Sequence, residues 1–79
     1  MKNLEIYDQA FMEGFSIDAD MLGDGFEYNS IEEWDSIGHM NLIGMLEDGF
    51  DIAMDMDDII EFSSYNKGKE ILEKYGVMF

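Results

Sequence analysis

The sequence predicts a small all-α fold, a four-helix bundle with a long loop between the first and second helices and a short third helix. Two observations lead to this class. Apolar residues recur at helical spacing in four segments, and no useful length of chain alternates apolar and polar residues as a half-buried strand does. The chain has 79 residues, and we expect residues 1–79 to form a single domain with one modest core.

The first helix is predicted over residues 3–15. Four apolar residues in this segment are spaced so that they fall on one helical face. Asn3 is predicted to cap the N-terminus of this helix. The four apolar residues are Leu4, Tyr7, Phe11 and Phe15.

The long loop is predicted over residues 16–35. Gly23-Asp24-Gly25 breaks any helix in this segment. Ser30-Ile31-Glu32-Glu33 has the spacing of a capping box, which favours one helical turn there. A loop of this length in a small domain is typical of a functional segment. Its apolar anchors are Ile17, Leu22, Phe26, Ile31 and Trp34.

The second helix is predicted from Ser36 to Phe50. With a period of about 3.6 residues, one face of this helix is apolar and is expected to face the core. His39, the only histidine, falls on the same face. We expect it to be a neutral, hydrogen-bonded core residue; the alternative is contact with a ligand bound near Ser36, one turn away. The apolar residues of this face are Leu42, Ile43, Leu46 and Phe50.

The opposite face of the second helix carries Ile37 and Met45 among glycines and polar residues. An exposed isoleucine and methionine indicate either a contact surface or a patch that the loop 16–35 covers. The residues of this face are Ile37, Gly38, Asn41, Gly44, Met45 and Asp48, with Met40 and Glu47 on one flank.

The last two helices are predicted after a short link of residues 51–55. A brief third helix is predicted over residues 56–62, and Ser63 or Ser64 is expected to cap the fourth helix, which Gly76 ends. The third helix is predicted to turn Ile59, Ile60 and Phe62 inward. The face of the fourth helix comprises Tyr65, Gly68, Ile71, Leu72 and Tyr75.

The charge of the chain is strongly acidic, with a net value of −15. Between Lys2 and Lys67 there are seventeen acidic residues and no lysine or arginine. Such a surface repels nucleic acid and anionic membranes and attracts basic protein surfaces. Because the chain has no cysteine, no signal-peptide pattern at its N-terminus and no apolar run approaching ~18 residues, we expect a soluble cytoplasmic monomer without a membrane span.

Asp35 and Ser36 stand at the predicted start of the second helix. Either residue is a plausible N-cap, and the same position suits an anion such as a phosphate. A catalytic triad is excluded, because Ser36 and His39 lie one turn apart on one helix and no glycine loop precedes the serine. The aspartates around Asp18 and Asp51 lack the ligand spacing of a calcium-binding loop. We therefore expect no catalytic residues and no dedicated metal site.

Three features follow one another in a fixed order along the chain. Asp35-Ser36-Ile37 opens the long second helix, Leu46-Glu47 is followed by Phe50, and a short third helix precedes a serine-capped fourth. In this order, and in an acidic chain of this length with a long first loop, they resemble the acyl carrier proteins. The resemblance covers essentially the whole chain and implies a four-helix bundle of the acyl-carrier type.

The resemblance implies a covalent cofactor. In that family the serine accepts 4′-phosphopantetheine from coenzyme A, through a separate phosphopantetheinyl transferase that uses Mg²⁺. The attachment residue would be Ser36, flanked by Asp35 and Ile37, with Asp35 helping to position the serine for the transferase. The protein would then be a non-catalytic substrate of the transferase, needing neither a base nor a cysteine of its own, because the arm supplies the thiol that carries acyl groups as thioesters. The family often shelters the acyl chain in the bundle core, where His39 would narrow the cavity.

The resemblance also implies partners. Acyl-loading and acyl-transfer enzymes of fatty-acid, lipid or secondary-metabolite biosynthesis would read the second helix through basic patches. This helix carries fewer acids than the common fatty-acid type, which favours a specialised stand-alone carrier. The alternative is a non-catalytic acidic interaction module without the prosthetic group, for which Ser36→Ala changes nothing. The expected contact residues are Ile37, Met40, Asn41, Gly44, Met45, Glu47 and Asp48.

Overall fold

The computed structural model describes residues 2–79, and this part of the chain is all-α. A 3₁₀ turn at Ala19–Met21 interrupts the long loop, and an isolated antiparallel bridge between Glu27 and Ser64 is the only β pairing among these residues. None of the helices in residues 2–79 has both the length and the apolar composition needed to cross a bilayer. The helices are α1 (Lys2–Phe15), α2 (Ser36–Phe50), α3 (Met56–Glu61) and α4 (Tyr65–Glu73).

The predicted face of α1 is confirmed, but the prediction of its cap is wrong. Tyr7, Phe11 and Phe15 are buried, whereas Leu4 is only partly so. Asn3 lies inside the helix, and its side-chain amide donates to Met78 O over 2.9 Å. Asn3 therefore ties α1 to the C-terminal residues instead of capping its own helix.

The core is built largely from aromatic rings that meet edge to face. Phe11 lies at its centre, with ring centroids 5.5 Å from Trp34 and 5.4 Å from Tyr65. Edge-to-face contacts of this kind are favourable beyond the area that they bury. Trp34, Tyr7, Phe11, Phe15 and Phe62 are the largest of the fully buried side chains.

The loop between α1 and α2 is held by its predicted anchors: Phe26 and Trp34 are buried, and Ile17, Leu22 and Ile31 are partly buried against the core. The predicted capping box at residues 30–33 does not form, although the chain makes a single turn there. The Ser30 hydroxyl bonds to the backbone N–H and carbonyl of Glu27, so it does not cap a helix, and the chain makes a tight turn in which Trp34 N donates to Ile31 O. The short polar side chain of Ser30 thus stabilises a turn in place of the helix that its spacing favours.

The second helix has the predicted bounds, and its core face is confirmed by the burial of Leu42, Ile43 and Leu46. Asp51 ends it in a left-handed conformation, with φ of 54°, and its N–H donates to Glu47 O. The side chain of Glu47 reaches past this end and accepts a hydrogen bond from Met54 N over 2.9 Å. The link after α2 is therefore fixed to the helix that precedes it.

The prediction that Ile60 of the third helix points inward is wrong. Phe62 is buried and Ile59 is half-buried as predicted, but Ile60 is 71% exposed. Asp58 points inward instead, where its carboxylate accepts hydrogen bonds from Nζ of Lys74 at 2.6 Å and Oη of Tyr75 at 2.5 Å. Because two residues advance a helix by about 200°, an inward Asp58 turns Ile60 toward the surface.

The fourth helix begins at Tyr65 because Ser64 caps it, and the Ser64 hydroxyl accepts from Lys67 N over 2.9 Å. The helix ends at Glu73, and a further turn closes at Gly76, whose φ of +88° suits glycine. Gly68 is required by packing, since a β-carbon there would overlap Oη of Tyr7 and the ring of Phe62.

Candidate functional site

Ser36 is the first residue of α2, and its side chain is exposed. Asp35 is the N-cap: its Oδ1 accepts from Gly38 N at 2.8 Å, and its carbonyl accepts from His39 N at 2.8 Å. The cap thus uses the side chain of Asp35 and not the hydroxyl of Ser36. The first turn of any α-helix carries N–H groups without partners inside the helix, and its end of the dipole is positive.

The loop before α2 approaches the helix closely at Gly38. A β-carbon at this position would overlap the carbonyl oxygen of Glu33 and press against the ring of Phe15. The helix face at Gly38 is therefore covered by the loop, whereas Ile37 remains 77% exposed. Of the two residues of the predicted apolar patch, Ile37 is therefore exposed, whereas Met45 is half-buried against α1 and not under the loop.

A groove of about 370 Å³ runs from Ser36 between the start of α2 and α3. Tyr28 stands at its edge, with Oη 3.3 Å from Oγ of Ser36. Three exposed apolar side chains border the groove, namely those of Met40, Met56 and Ile60. The full lining is Tyr28, Ser36, His39, Met40, Met56, Ile59, Ile60, Phe62 and Ser63.

His39 lies at the bottom of this groove, and both of its ring nitrogens are hydrogen-bonded. The indole N–H of Trp34 donates to Nδ1 at 2.9 Å, and Nε2 lies 2.8 Å from the carbonyl oxygen of Ile59. Since Nδ1 accepts, Nε2 must carry the proton that it donates to Ile59 O. The prediction of a hydrogen-bonded core histidine is confirmed, and with both ring nitrogens paired His39 is not free to act as a base toward Ser36.

The carboxylate of Asp58 lies on the opposite side of α3 from this groove. The hydrogen bonds from Lys74 and Tyr75 hold the pKa of Asp58 below its ordinary range. In turn the Asp58 carboxylate raises the pKa of Lys74 and that of Tyr75. Tyr75 Oη also accepts from Asp55 N at 2.9 Å, so this cluster fixes both the start and the middle of α3 against the end of α4.

The residues expected to contact partners separate into two groups. Ile37, Met40, Asn41 and Asp48 are exposed. Gly44, Met45 and Glu47 are half-buried. Met45 packs toward α1, where its sulfur lies against Gly14, and Glu47 is engaged with Met54 N. Apart from Asp48, the exposed residues therefore lie nearer to Ser36 along the helix than the half-buried ones do.

Within residues 2–79, three or more histidine, cysteine or carboxylate side chains nowhere come together as metal ligands. Comparison with protein-family models, characterised proteins and solved structures finds no match for this chain. The function is therefore inferred from the resemblance of the Asp35-Ser36-Ile37 motif to that of the acyl carrier proteins and from the geometry around Ser36.

The sequence predicted the position of Ser36 at the start of α2, but it did not predict the groove beside this residue. Tyr28 and Ser63 come from two different loops, and the exposure of Ile60 depends on the orientation of α3. The spacing of Met56, Ile59 and Ile60 at i, i+3 and i+4 was a signal of a shared helical face, but it did not reveal which way that face points.

Proposed function

We propose that the protein is an acyl carrier protein that bears 4′-phosphopantetheine on Ser36. The observation that carries the proposal is the exposed hydroxyl of Ser36 at the start of a capped helix, opening onto an apolar groove. The Asp-Ser-Ile motif, the long first loop and the short third helix are similar to those of that family. In this proposal the four helices have the acyl-carrier arrangement.

The residues around Ser36 fit the group. Its phosphodiester would lie at the N-terminus of α2, where helix N–H groups and the dipole favour an anion. Met40, Met56 and Ile60 present apolar, exposed surface beside the attachment point. When bound, phosphopantetheine supplies the thiol that forms thioesters with acyl groups.

The protein itself supplies no base for the modification. The nearest polar partner of Ser36 is the Tyr28 hydroxyl, and both nitrogens of His39 are occupied. A hydroxyl without an activating base is a weak nucleophile. Activation of Ser36 would therefore come from the transferase and its Mg²⁺, which makes this chain a substrate and not an enzyme.

Partner enzymes would dock around Ser36. Ile37 and Met40 give this surface exposed apolar side chains, and the exposed acidic residues Glu32, Glu33 and Asp35 directly precede the helix. A partner with apolar contacts inside a basic rim would match both features, since opposite charges steer the encounter and apolar burial stabilises the complex. Asn41 and Asp48 would extend this contact along α2, with Gly44, Met45 and Glu47 contributing from its half-buried side.

The direct test is the mass of the intact protein after incubation with coenzyme A, Mg²⁺ and a broad-specificity phosphopantetheinyl transferase. The wild type should gain one phosphopantetheine and Ser36→Ala should gain none. Ser63→Ala is a matched control, because Ser63 is an exposed serine that lines the same groove. If Ser36→Ala is modified as fully as the wild type, Ser36 is not the attachment residue. If folded wild type stays unmodified while a known carrier is modified, the acidic interaction module becomes the better account.

A further inference from the structure

A hydrogen-bonded bridge crosses the molecule at the bottom of the groove that Ser36 borders. It runs from Trp34 in the loop, through His39 in α2, to the backbone of Ile59 in α3. We propose that this bridge closes the bundle interior to the cargo, so that the protein carries short or polar acyl groups in the surface groove and does not enclose a long alkyl chain. The proposal rests on the assignment of Ser36 as the attachment residue.

The bridge makes entry between α2 and α3 unfavourable for an alkyl chain. The ring of His39 is only 9% exposed, and its Nε2–H is paired with Ile59 O. A chain that separated the two helices would leave that donor and that acceptor unpaired, away from water. Hydrocarbon offers no hydrogen bond in exchange, so the desolvation cost would stay uncompensated.

The space behind the bridge is filled by large rings. The His39 ring lies within 15° of parallel to that of Trp34, with centroids 6.3 Å apart, and lies 5.9 Å from the ring of Phe62. Trp34 and Phe62 are themselves fully buried, and Phe11 packs edge-on against Trp34. Because protein interiors are close-packed, an alkyl chain could enter here only by displacing whole side chains.

The groove in front of the bridge suits a small cargo. Its volume is about 370 Å³, and it is partly open to the surface. Met40, Met56 and Ile60 provide apolar walls, while the hydroxyls of Tyr28 and Ser63 are available to a polar substituent. A short acyl group, including a hydroxy- or amino-substituted one, matches this mixture of surfaces.

The test uses a chemical tether and needs no transferase. Because the chain has no cysteine, Ser36→Cys introduces a single thiol at the edge of the groove. This thiol is alkylated with N-alkyl iodoacetamides whose chains range from ethyl to dodecyl. Trp34 is the only tryptophan and is fully buried, so its emission reports any chain that reaches the interior. Glu73→Cys, at an exposed position that does not line the groove, carries the same labels as a control.

The expected result is a melting temperature that stays flat or falls as the chain lengthens, with the emission maximum of Trp34 unchanged. A melting temperature that rises with chain length, together with a shift of the Trp34 emission, would overturn the proposal. The rise must exceed that of the labelled Glu73→Cys protein, which measures the effect of an alkyl chain on the surface.

Variants of His39 identify the bridge as the cause. In the Ser36→Cys background, His39→Ala removes the bridge and should create a dependence of melting temperature on chain length. His39→Gln retains one acceptor and one donor and should keep the flat profile of the parent. If His39→Ala does not fold, the comparison of chain lengths in Ser36→Cys alone still shows whether the alkyl chain enters the interior.

Failure of this inference and failure of the carrier assignment give different results. Insertion of the tethered chain, with normal modification of the wild type by the transferase, leaves a carrier that encloses its cargo. A flat tether profile without modification by the transferase leaves a closed core in a protein that is not a carrier.

Discussion

Nζ of Lys74 lies 2.6 Å from Oδ1 of Asp58, and this ion pair joins the end of α4 to the middle of α3. Asp58 is only 7% exposed, and Tyr75 donates to its second carboxylate oxygen. The pair is one of the polar links that hold α3, which forms a wall of the groove beside Ser36. The Lys74–Asp58 pair also makes the stability of the fold depend on pH.

The folded-state pKa of Asp58 is lowered by its hydrogen bonds from Lys74 and Tyr75. A lowered pKa means that the ionised carboxylate stabilises the fold above the unfolded value of about 3.9, and that this contribution is lost as the pH falls toward the lower folded value. Asp58→Asn should therefore lower the melting temperature at neutral pH, and the difference from wild type should shrink below about pH 4. Thermal unfolding across this range measures it.

The control for this prediction is Asp57→Asn, which removes the same charge from an exposed neighbouring residue. Relief of self-repulsion in a chain of charge −15 affects both variants alike. An equal effect of the two substitutions, or an Asp58→Asn difference that does not change with pH, would contradict the role of the ion pair.

Gly68→Ala should lower the free energy of unfolding by about 1–3 kcal/mol, as overpacking of a close-packed core does. The reason is the overlap of the new methyl group with Oη of Tyr7 and the ring of Phe62. Gly44→Ala is the matched control, because a β-carbon on this helical glycine meets no atom within 4 Å. It should raise the free energy of unfolding by about 0.5–1 kcal/mol through helix propensity. Urea denaturation should give opposite signs, and the same sign for both would refute the packing argument.

Asp35 has a structural role as N-cap that is separable from its charge. Asp35→Ala should lower the free energy of unfolding by about 1 kcal/mol, whereas Asn caps as well as Asp does. Asp35→Asn should therefore keep the stability of the wild type, with the Oδ1 hydrogen bond to Gly38 N retained. If Asp35→Asn then slows modification by the transferase, the charge serves the transferase. A loss of stability as large as that of Asp35→Ala would contradict the capping geometry.

His39 should be found as the Nε2–H tautomer at neutral pH. Trp34 donates to Nδ1, so that nitrogen is unprotonated, and Nε2 is protonated because it donates to Ile59 O. Two-bond ¹H–¹⁵N correlation spectra of the imidazole distinguish the two tautomers. Trp34→Phe should cost about 1–3 kcal/mol of stability, because Nδ1 then lacks a donor in a buried place. A ring with Nδ1 protonated would remove the basis of the bridge.

Much of the fold could be predicted because long amphipathic segments carry a clear period. The core face of α2 was found from the spacing of Leu42, Ile43 and Leu46, and the cap of α4 was narrowed to two serines. The position of Ser36 followed from the start of α2. These features depend on local sequence, where helical periodicity and capping chemistry are strong.

The remaining features depend on contacts between distant residues. The helix α3 has only six residues, which is too short for its period to define an inward face, and the partner of Asp58 lies 16 residues away in sequence. The groove likewise needs Tyr28 and Ser63, which the fold alone brings to Ser36 and α3. Ser30 could not be predicted correctly even from its neighbours in sequence. Its hydroxyl donates to the carbonyl of Glu27 and does not cap a helix.

The central claim is that Ser36 is an attachment site for phosphopantetheine, and the intact mass of the protein tests it most directly. Wild type and Ser63→Ala, incubated with coenzyme A, Mg²⁺ and the transferase, should each gain one phosphopantetheine, and peptide mapping should place it on Ser36. Ser36→Ala should keep its mass. Modification of Ser36→Ala, or no modification of folded wild type beside a carrier that the same enzyme modifies, would contradict the claim.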